Sequence, residues 1–378
     1  LVAWEKCLRD RGWQEDGWSS SFLFSAQGAV HFSPKRPLLM TIQQRPTLYI
    51  DGVWCSSSEG STRPTINPYD ASVLTEVDEA SVADAERAIA SAKHYFTTSD
   101  WPSRPYVERC AFLSRMVKLL QKHKSELARI ETLDTGKTLG ESEIDIDDVS
   151  NVFRFYAAEA LKLEGERRVL SPMIPDTVKS VIVHEPVGVC VLITPWNYPI
   201  LQLCWKLAPA LATGNVVIIK PSEVTPLSTI FVVKLFLEAG FPPTSVLLLT
   251  ASGASVGPTL TESPDVDLVS FTGGLATGQA IMRSCASTVK RCTVELGGKN
   301  PNVVFADCDL AWAIDNVVTA VFVHSGQVCS AGARLIVEES IADQLVAGVV
   351  ERAQQIVMGS GLDPVSSTLI RAHAPGRE

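Results

Sequence analysis

The sequence predicts an α/β protein built on a doubly wound parallel sheet, and three observations carry that reading. From residue 177 onward, short continuous apolar runs alternate with longer helical patterns, as in a sheet covered on both faces. Glycine-containing turns follow two of those runs, where such sheets bind anionic ligands. With 46% hydrophobic and 20% charged residues, the chain can bury a large core.

The elements follow in order. Residues 81–97, SVADAERAIASAKHYFT, open on a serine cap with an aspartate three residues later, then place apolar residues at helical spacing. A longer helical stretch runs through VERCAFLSRMVKLLQKHKSELARIETLDTG to Gly136, and residues 138–161 predict a third helix, acidic at its start. DTGKTLGES is like the tail of a phosphate-binding loop, but Glu131 stands where that motif needs its first glycine, which discards nucleoside-triphosphate binding. TVKSVIVHEPVGVCVLI gives two β-runs split at Glu185–Pro186. After it come helix ILQLCWKLAPALATG, strand NVVIIK, helix LSTIFVVKLFLEAG, strand SVLLLT, a short helix, strand VDLVSFT, helix ATGQAIMRSCAS and strand CTVEL.

Several functions are disfavoured at this level. A net charge of −9 does not suit a nucleic-acid surface. No apolar run approaches the roughly 18 to 20 residues of a membrane span. Nine cysteines are scattered without CxxC or Cys/His spacing, which reads as reduced thiols in a cytoplasmic protein and gives no metal site. The first methionine is Met40, so residues 1–39 are expected to be upstream translation or a poorly ordered extension.

Five stretches bear chemistry. In PWNYP, Pro195 and Pro199 fix φ and remove two backbone donors, so the loop is held in one shape. It is either a strand terminator with a packed Trp196 or a device that aims the Asn197 amide. SGASVG, with Gly253 and Gly257, and FTGGLATG, with Gly273 and Gly274, let backbone N–H groups approach an anion at a helix start. They are plain turns or a dinucleotide site. Lys220 and Glu223 follow a buried strand at its carboxyl end. They form a solvated loop or a ribose site in which Glu223 repels a 2′-phosphate. Glu295 is a solvated strand end or a general base, and Cys329 interrupts an apolar helical stretch in HSGQVCSAGAR.

TPWNYP, KPSEVTP, FTGG, VELGGKNP and GQVCSAG together resemble the aldehyde dehydrogenase superfamily in order and spacing, from about Leu48 to Pro364. KSVIVHEPVGVCVLITPWNYPI, VSFTGG and GQVCSAGARL are most similar to its glycine-betaine-aldehyde dehydrogenases. The resemblance implies an NAD-binding domain over 40–293, with a bridging strand near 177–185, and a partial catalytic domain over 294–378. It implies that Cys329 is the nucleophile and that the Asn197 amide and the Cys329 N–H form an oxyanion hole. Hydride passes to the nicotinamide, and Glu295 is the base that hydrolyses the thioester. Lys220 and Glu223 match adenosine-ribose contacts, which favours NAD over NADP. Trp196, Gly253, Gly257, Phe271, Thr272, Gly273 and Gly274 belong to the cofactor site; many relatives carry serine in place of Gly274. Tyr198 and Trp205 match the substrate tunnel, where aromatic faces suit a quaternary ammonium such as betaine aldehyde.

A homodimer or homotetramer is expected for a complete family member. The resemblance stops at MGSGLDP, and the later family motifs are expected to be absent. The 378-residue chain is therefore expected to be inactive or nearly so in turnover and prone to aggregate. The other readings are a truncated, inactive nucleotide-binding or interaction protein, and acyl-phosphate reduction on the same fold.

Overall fold

A computed structural model describes residues 45–165, 168–170 and 180–364, with only the backbone described at 168–170. The expected extension, residues 1–39, lies outside the described residues.

Two hairpins open the described chain: β1 (Leu48–Ile50) with β2 (Val53–Cys55), and β3 (Thr62–Ile66) with β4 (Val73–Asp78). Helix α1 (Val82–Thr98) starts on the foreseen capping box, with Ser81 and Asp84 satisfying each other's backbone N–H. The single long helical stretch of the sequence is two helices, α2 (Tyr106–Lys122) and α3 (Lys124–Thr135), which meet at His123. No helix breaker sits at that joint. The His123 ring packs edge-on against Phe231 at 5.7 Å, so tertiary packing overrides the local pattern there. Gly136 ends α3 in the left-handed region at φ 83°, where a Cβ is costly. Thr138 and Glu141 form a second capping box on α4 (Leu139–Glu159).

The remaining elements build the sheet. β5 (Arg168–Leu170) and β6 (Ser180–Ile182) pair antiparallel. Then β7 (Val189–Ile193), β8 (Val216–Lys220), β9 (Val246–Leu248), β10 (Leu268–Gly273) and β11 (Arg291–Leu296) alternate with α5 (Pro199–Ala212), α6 (Leu227–Glu238), α7 (Gly253–Glu262) and α8 (Leu275–Thr288). Strands β7 to β11 run parallel, in the order β11-β10-β7-β8-β9. The hairpin β1–β2 extends the sheet antiparallel at the β9 edge, an addition to the expected doubly wound parallel sheet. All residues of β7 and β8 are buried, which explains their uninterrupted apolar sequences.

Strand order reverses at β7, with β8 and β9 on one side and β10 and β11 on the other. Ligands of open α/β sheets bind above the carboxyl ends at such a reversal. Register aligns those ends: Ile193 lies opposite Lys220 and Phe271, and Thr272 lies opposite Glu295.

Beyond β11, β12 (Pro301–Val304) and β13 (Arg334–Val337) form a separate parallel pair with α9 (Leu310–Phe322) and α10 (Ala342–Gln354). Their core is small: Val304, Ala313, Val317 and Leu345 are buried together. Trp312 and Phe305 on this part stand 68% and 65% exposed.

Candidate active site

The loop after β7 is the first component. Pro199 opens α5 as its first residue, a position that needs no N–H. The loop thus turns directly into a helix, with Asn197 fixed between two prolines. Asn197 donates from Nδ2 to the Gln327 carbonyl at 2.7 Å, two residues before Cys329.

The approach to Cys329 is strained. His324, Ser325 and Gly326 all have positive φ, at 49°, 56° and 76°. Non-glycine residues hold such backbone only where their surroundings over-determine it, at a cost of about 1 to 3 kcal/mol each. Those surroundings are present for His324. Its N–H donates to Glu141 Oε1 at 2.7 Å, its Nε2 donates to the Asn197 carbonyl at 2.6 Å, and its ring meets Tyr198 edge-on at 4.9 Å. From the other side, Asn300 Nδ2 donates to the Cys329 carbonyl at 3.0 Å. Cys329 itself is exposed.

Beneath the loop lies a buried charge cluster. The Lys137 ammonium touches Asp145 at 2.5 Å and Glu131 at 3.4 Å, and sits 4.3 Å above the Tyr198 ring. Burial alone would push that ammonium down, but Asp145 and Glu131 hold it above the usual lysine range. Burial pushes the Tyr198 phenol up, and Asp145, Glu141, Cys329 and Asp148 add to the effect. Trp205, on α5, is 48% exposed, and Trp196 is half-buried.

Glu295 is exposed near the end of β11. Among the described residues no hydrogen bond joins it to Asn197 or Cys329. Its neighbour is Lys206, whose ammonium burial pushes down to about 8, with Glu295 opposing the shift. Lys206 donates to Thr272 Oγ1 at 2.7 Å, and Thr272 donates to Gln202 at 3.2 Å.

On the opposite flank, Lys220 ends β8 buried and pairs with Glu223 at 3.1 Å. Burial pushes its ammonium down while Glu223 opposes. Gly253 opens α7 behind the Ser252 cap, and a Cβ there would lie 3.8 Å from Lys220 Nζ. Around Gly257 the space is open. A Cβ at Gly273 would fall 2.5 Å from the buried Phe271 ring, so a side chain at this position would have to displace that ring. Gly274 is the N-cap of α8 and offers no side-chain cap. A buried lysine, an acceptor carboxylate and glycine turns at two helix starts are a donor set suited to a ribose and a diphosphate.

Sequence reasoning missed several of these residues. Lys206, the lone charge in the apolar helix LQLCWKLAPALA, left a usable signal. His324 left a weaker one, in the polar break HSGQ. Glu79, which accepts the Ser252 N–H at 2.8 Å, and its partner Arg63 left none. Among the described residues no group of His, Cys, Asp or Glu could hold a metal ion, and no helix is long and apolar enough to cross a membrane.

Comparisons relate the chain to known proteins. The sequence matches the aldehyde dehydrogenase family over residues 54–373. It is 50% identical over 315 residues to betaine aldehyde dehydrogenase of Bacillus subtilis (strain 168), covering 83% of this chain and 64% of that protein. Against cytosolic 10-formyltetrahydrofolate dehydrogenase of Mus musculus it is 39% identical over 336 residues, 88% of this chain and 37% of that one. Its fold matches the crystal structure of Staphylococcus aureus betaine aldehyde dehydrogenase in complex with NAD+ with a TM-score of 0.85 and 43% identity, over 88% of this chain and 65% of that chain. The chain spans less than two thirds of the length of each of these relatives. It belongs to the aldehyde dehydrogenase family.

Proposed function

We propose that the chain serves NAD-dependent oxidation of an aldehyde to its carboxylic acid. The Cys329 thiolate attacks the aldehyde carbon, and the carbonyl oxygen takes up the negative charge. One N–H of the Asn197 amide already holds the Gln327 carbonyl; the second N–H and the Cys329 backbone N–H serve that oxyanion. NAD+, when bound, would accept the hydride that leaves the former aldehyde carbon, and Cys329 would be left as a thioester. Glu295 takes a proton from water, the hydroxide attacks the thioester, and the Cys329 thiolate departs. Lys220 and Glu223 hold the adenosine ribose, with Glu223 favouring NAD over NADP, and Gly253, Gly273 and Gly274 give the diphosphate access to two helix starts.

One observation carries this reading: the proline-bracketed Asn197 amide reaches the turn that presents an exposed cysteine. Betaine aldehyde is the substrate we favour. Two of the three relatives named above carry it in their names, and aromatic faces such as those of Tyr198 and Trp205 attract a quaternary ammonium by about 0.5 to 2 kcal/mol. We further infer a cytoplasmic homodimer or homotetramer; the eight described cysteines are all free, which fits a reducing compartment.

The test is a single-turnover experiment with the full chain, NAD+ and betaine aldehyde. The proposal predicts an NADH burst in the wild type that Cys329→Ala abolishes. No burst in the wild type, or an equal burst in Cys329→Ala, overturns it.

A further inference from the structure

Charged groups of alternating sign cluster at the carboxyl end of β8. Arg63, on β3, grips Glu79 with Nε at 2.8 Å and Nη2 at 2.9 Å. Glu79 follows β4 and also accepts the N–H of Ser252, the cap of α7, at 2.8 Å. Lys220 pairs with Glu223 at 3.1 Å. The two pairs act on each other: Glu79 bears on the Lys220 ammonium, and Arg63 bears on the Glu223 carboxylate. Ser252, held by Glu79, is followed by Gly253, where a Cβ would lie 3.8 Å from Lys220 Nζ, so the two pairs meet at the start of α7. Of the two cations, Lys220 is sealed in at 4% exposure, whereas Arg63 is 38% exposed.

This matters for which cofactor the site accepts, and the point rests on the reading of Lys220 and Glu223 as the adenosine-ribose site. A 2′-phosphate brings about 1.5 to 2 negative charges. A guanidinium fork is the group best shaped to receive it. We propose that Glu79 is a specificity-determining residue: by occupying the Arg63 fork, it withholds that cation from a 2′-phosphate and leaves Glu223 to repel it. Glu79 takes the Nε–Nη2 edge of Arg63 and offsets its charge, so a phosphate would meet only the remaining Nη1 side of a guanidinium that is already paired. Selection against NADP then has two parts, the repelling Glu223 and the restrained Arg63. The second part comes from the β3–β4 hairpin, outside the parallel sheet.

Titration calorimetry of the full chain with NAD+ and with NADP+ tests this without relying on turnover. Glu79→Gln keeps an oxygen for the Ser252 N–H but loses the charge that holds Arg63. It should raise NADP+ affinity relative to NAD+ by roughly three- to tenfold, the scale of one partly exposed charge-assisted contact. In Glu79→Gln/Arg63→Met that gain should vanish. Should Glu79→Gln fail to fold, Glu79→Asp carries the test: it keeps the charge, but its shorter arm cannot span both Arg63 nitrogens while holding Ser252. A smaller gain of the same sign is then expected. An unchanged NADP+ to NAD+ ratio in the single variants overturns the proposal. So does a gain that persists without Arg63, because the lost carboxylate alone would then explain it. Wild-type protein that binds neither cofactor overturns the ribose-site reading itself, and this proposal with it.

Discussion

Strands β8 and β13 are both short and parallel-paired, and a segment of the proposed site lies at an end of each, yet they are held in opposite ways. All five residues of β8 are buried, and the strand is flanked by β7 and β9. Strand β13 pairs with β12, and its residues alternate between exposed and half-buried. Lys220 therefore projects from a rigid sheet, whereas Cys329 sits just ahead of a lightly packed strand. The cysteine owes its position to individual ties, namely Asn197 to Gln327, Asn300 to Cys329, and Glu141 to His324. The proposed cofactor edge is built by burial, and the proposed nucleophile is placed by hydrogen bonds.

The largest expected effect separates the two kinds of support. Ile218→Ala, in the centre of β8 at 0% exposure, should lower global stability by about 3 to 4 kcal/mol. Leu345→Ala, equally buried but in the small core of α9 and α10, should cost about 2 kcal/mol. Hydrogen exchange should show that loss confined to residues 301–354. Equal, global losses from both variants would erase the distinction.

Cutting a tie should act on chemistry more than on folding. Asn197→Ala is expected to slow acylation of Cys329 by roughly 10² to 10³-fold, as for loss of one oxyanion donor. Exchange near residues 323–330 should quicken while β7 and β8 stay protected. Acylation at the wild-type rate would remove Asn197 from the site.

Much of this frame is legible in the amino-acid sequence. Continuous apolar runs such as NVVIIK mark the buried strands, and S-V-A-D and T-L-G-E mark two capped helices. Both are local patterns with a fixed period or spacing. The break at His123 is not legible, because it answers to Phe231, more than a hundred residues away. The antiparallel β1–β2 addition is hidden for the same reason. At the site, motif resemblance singled out Cys329, whereas local chemistry could not choose among nine cysteines. Lys137, Glu79 and Arg63 stayed invisible, since their partners are brought together only by the fold.

Proton binding offers a subtler probe of the rigid side. The Lys206 ammonium lies near 8 in the folded protein against an ordinary 10.5. Unfolded chains therefore hold the extra proton between those values, and stability should rise as pH rises through that window. Competitive acetylation read by mass spectrometry should place the midpoint of Lys206 about two units below exposed lysines, and Lys206→Met should flatten that part of the stability profile. A midpoint shared with exposed lysines would mean that Lys206 is solvated.

Gly274→Ser should have the smallest effect. The N-cap of α8 lacks a side-chain acceptor, and serine supplies one, worth a few tenths of a kcal/mol. Thermal unfolding should show a slight rise; a fall would mean that the turn cannot take a side chain.

The central claim is that Cys329 and Glu295 divide the two halves of one reaction. Mass spectrometry of Glu295→Gln, incubated with NAD+ and betaine aldehyde and then quenched, tests it directly. The account predicts an acyl group on the peptide containing Cys329, dependent on NAD+ and longer-lived than in the wild type. An unmodified Cys329, or an adduct on another cysteine, would contradict it.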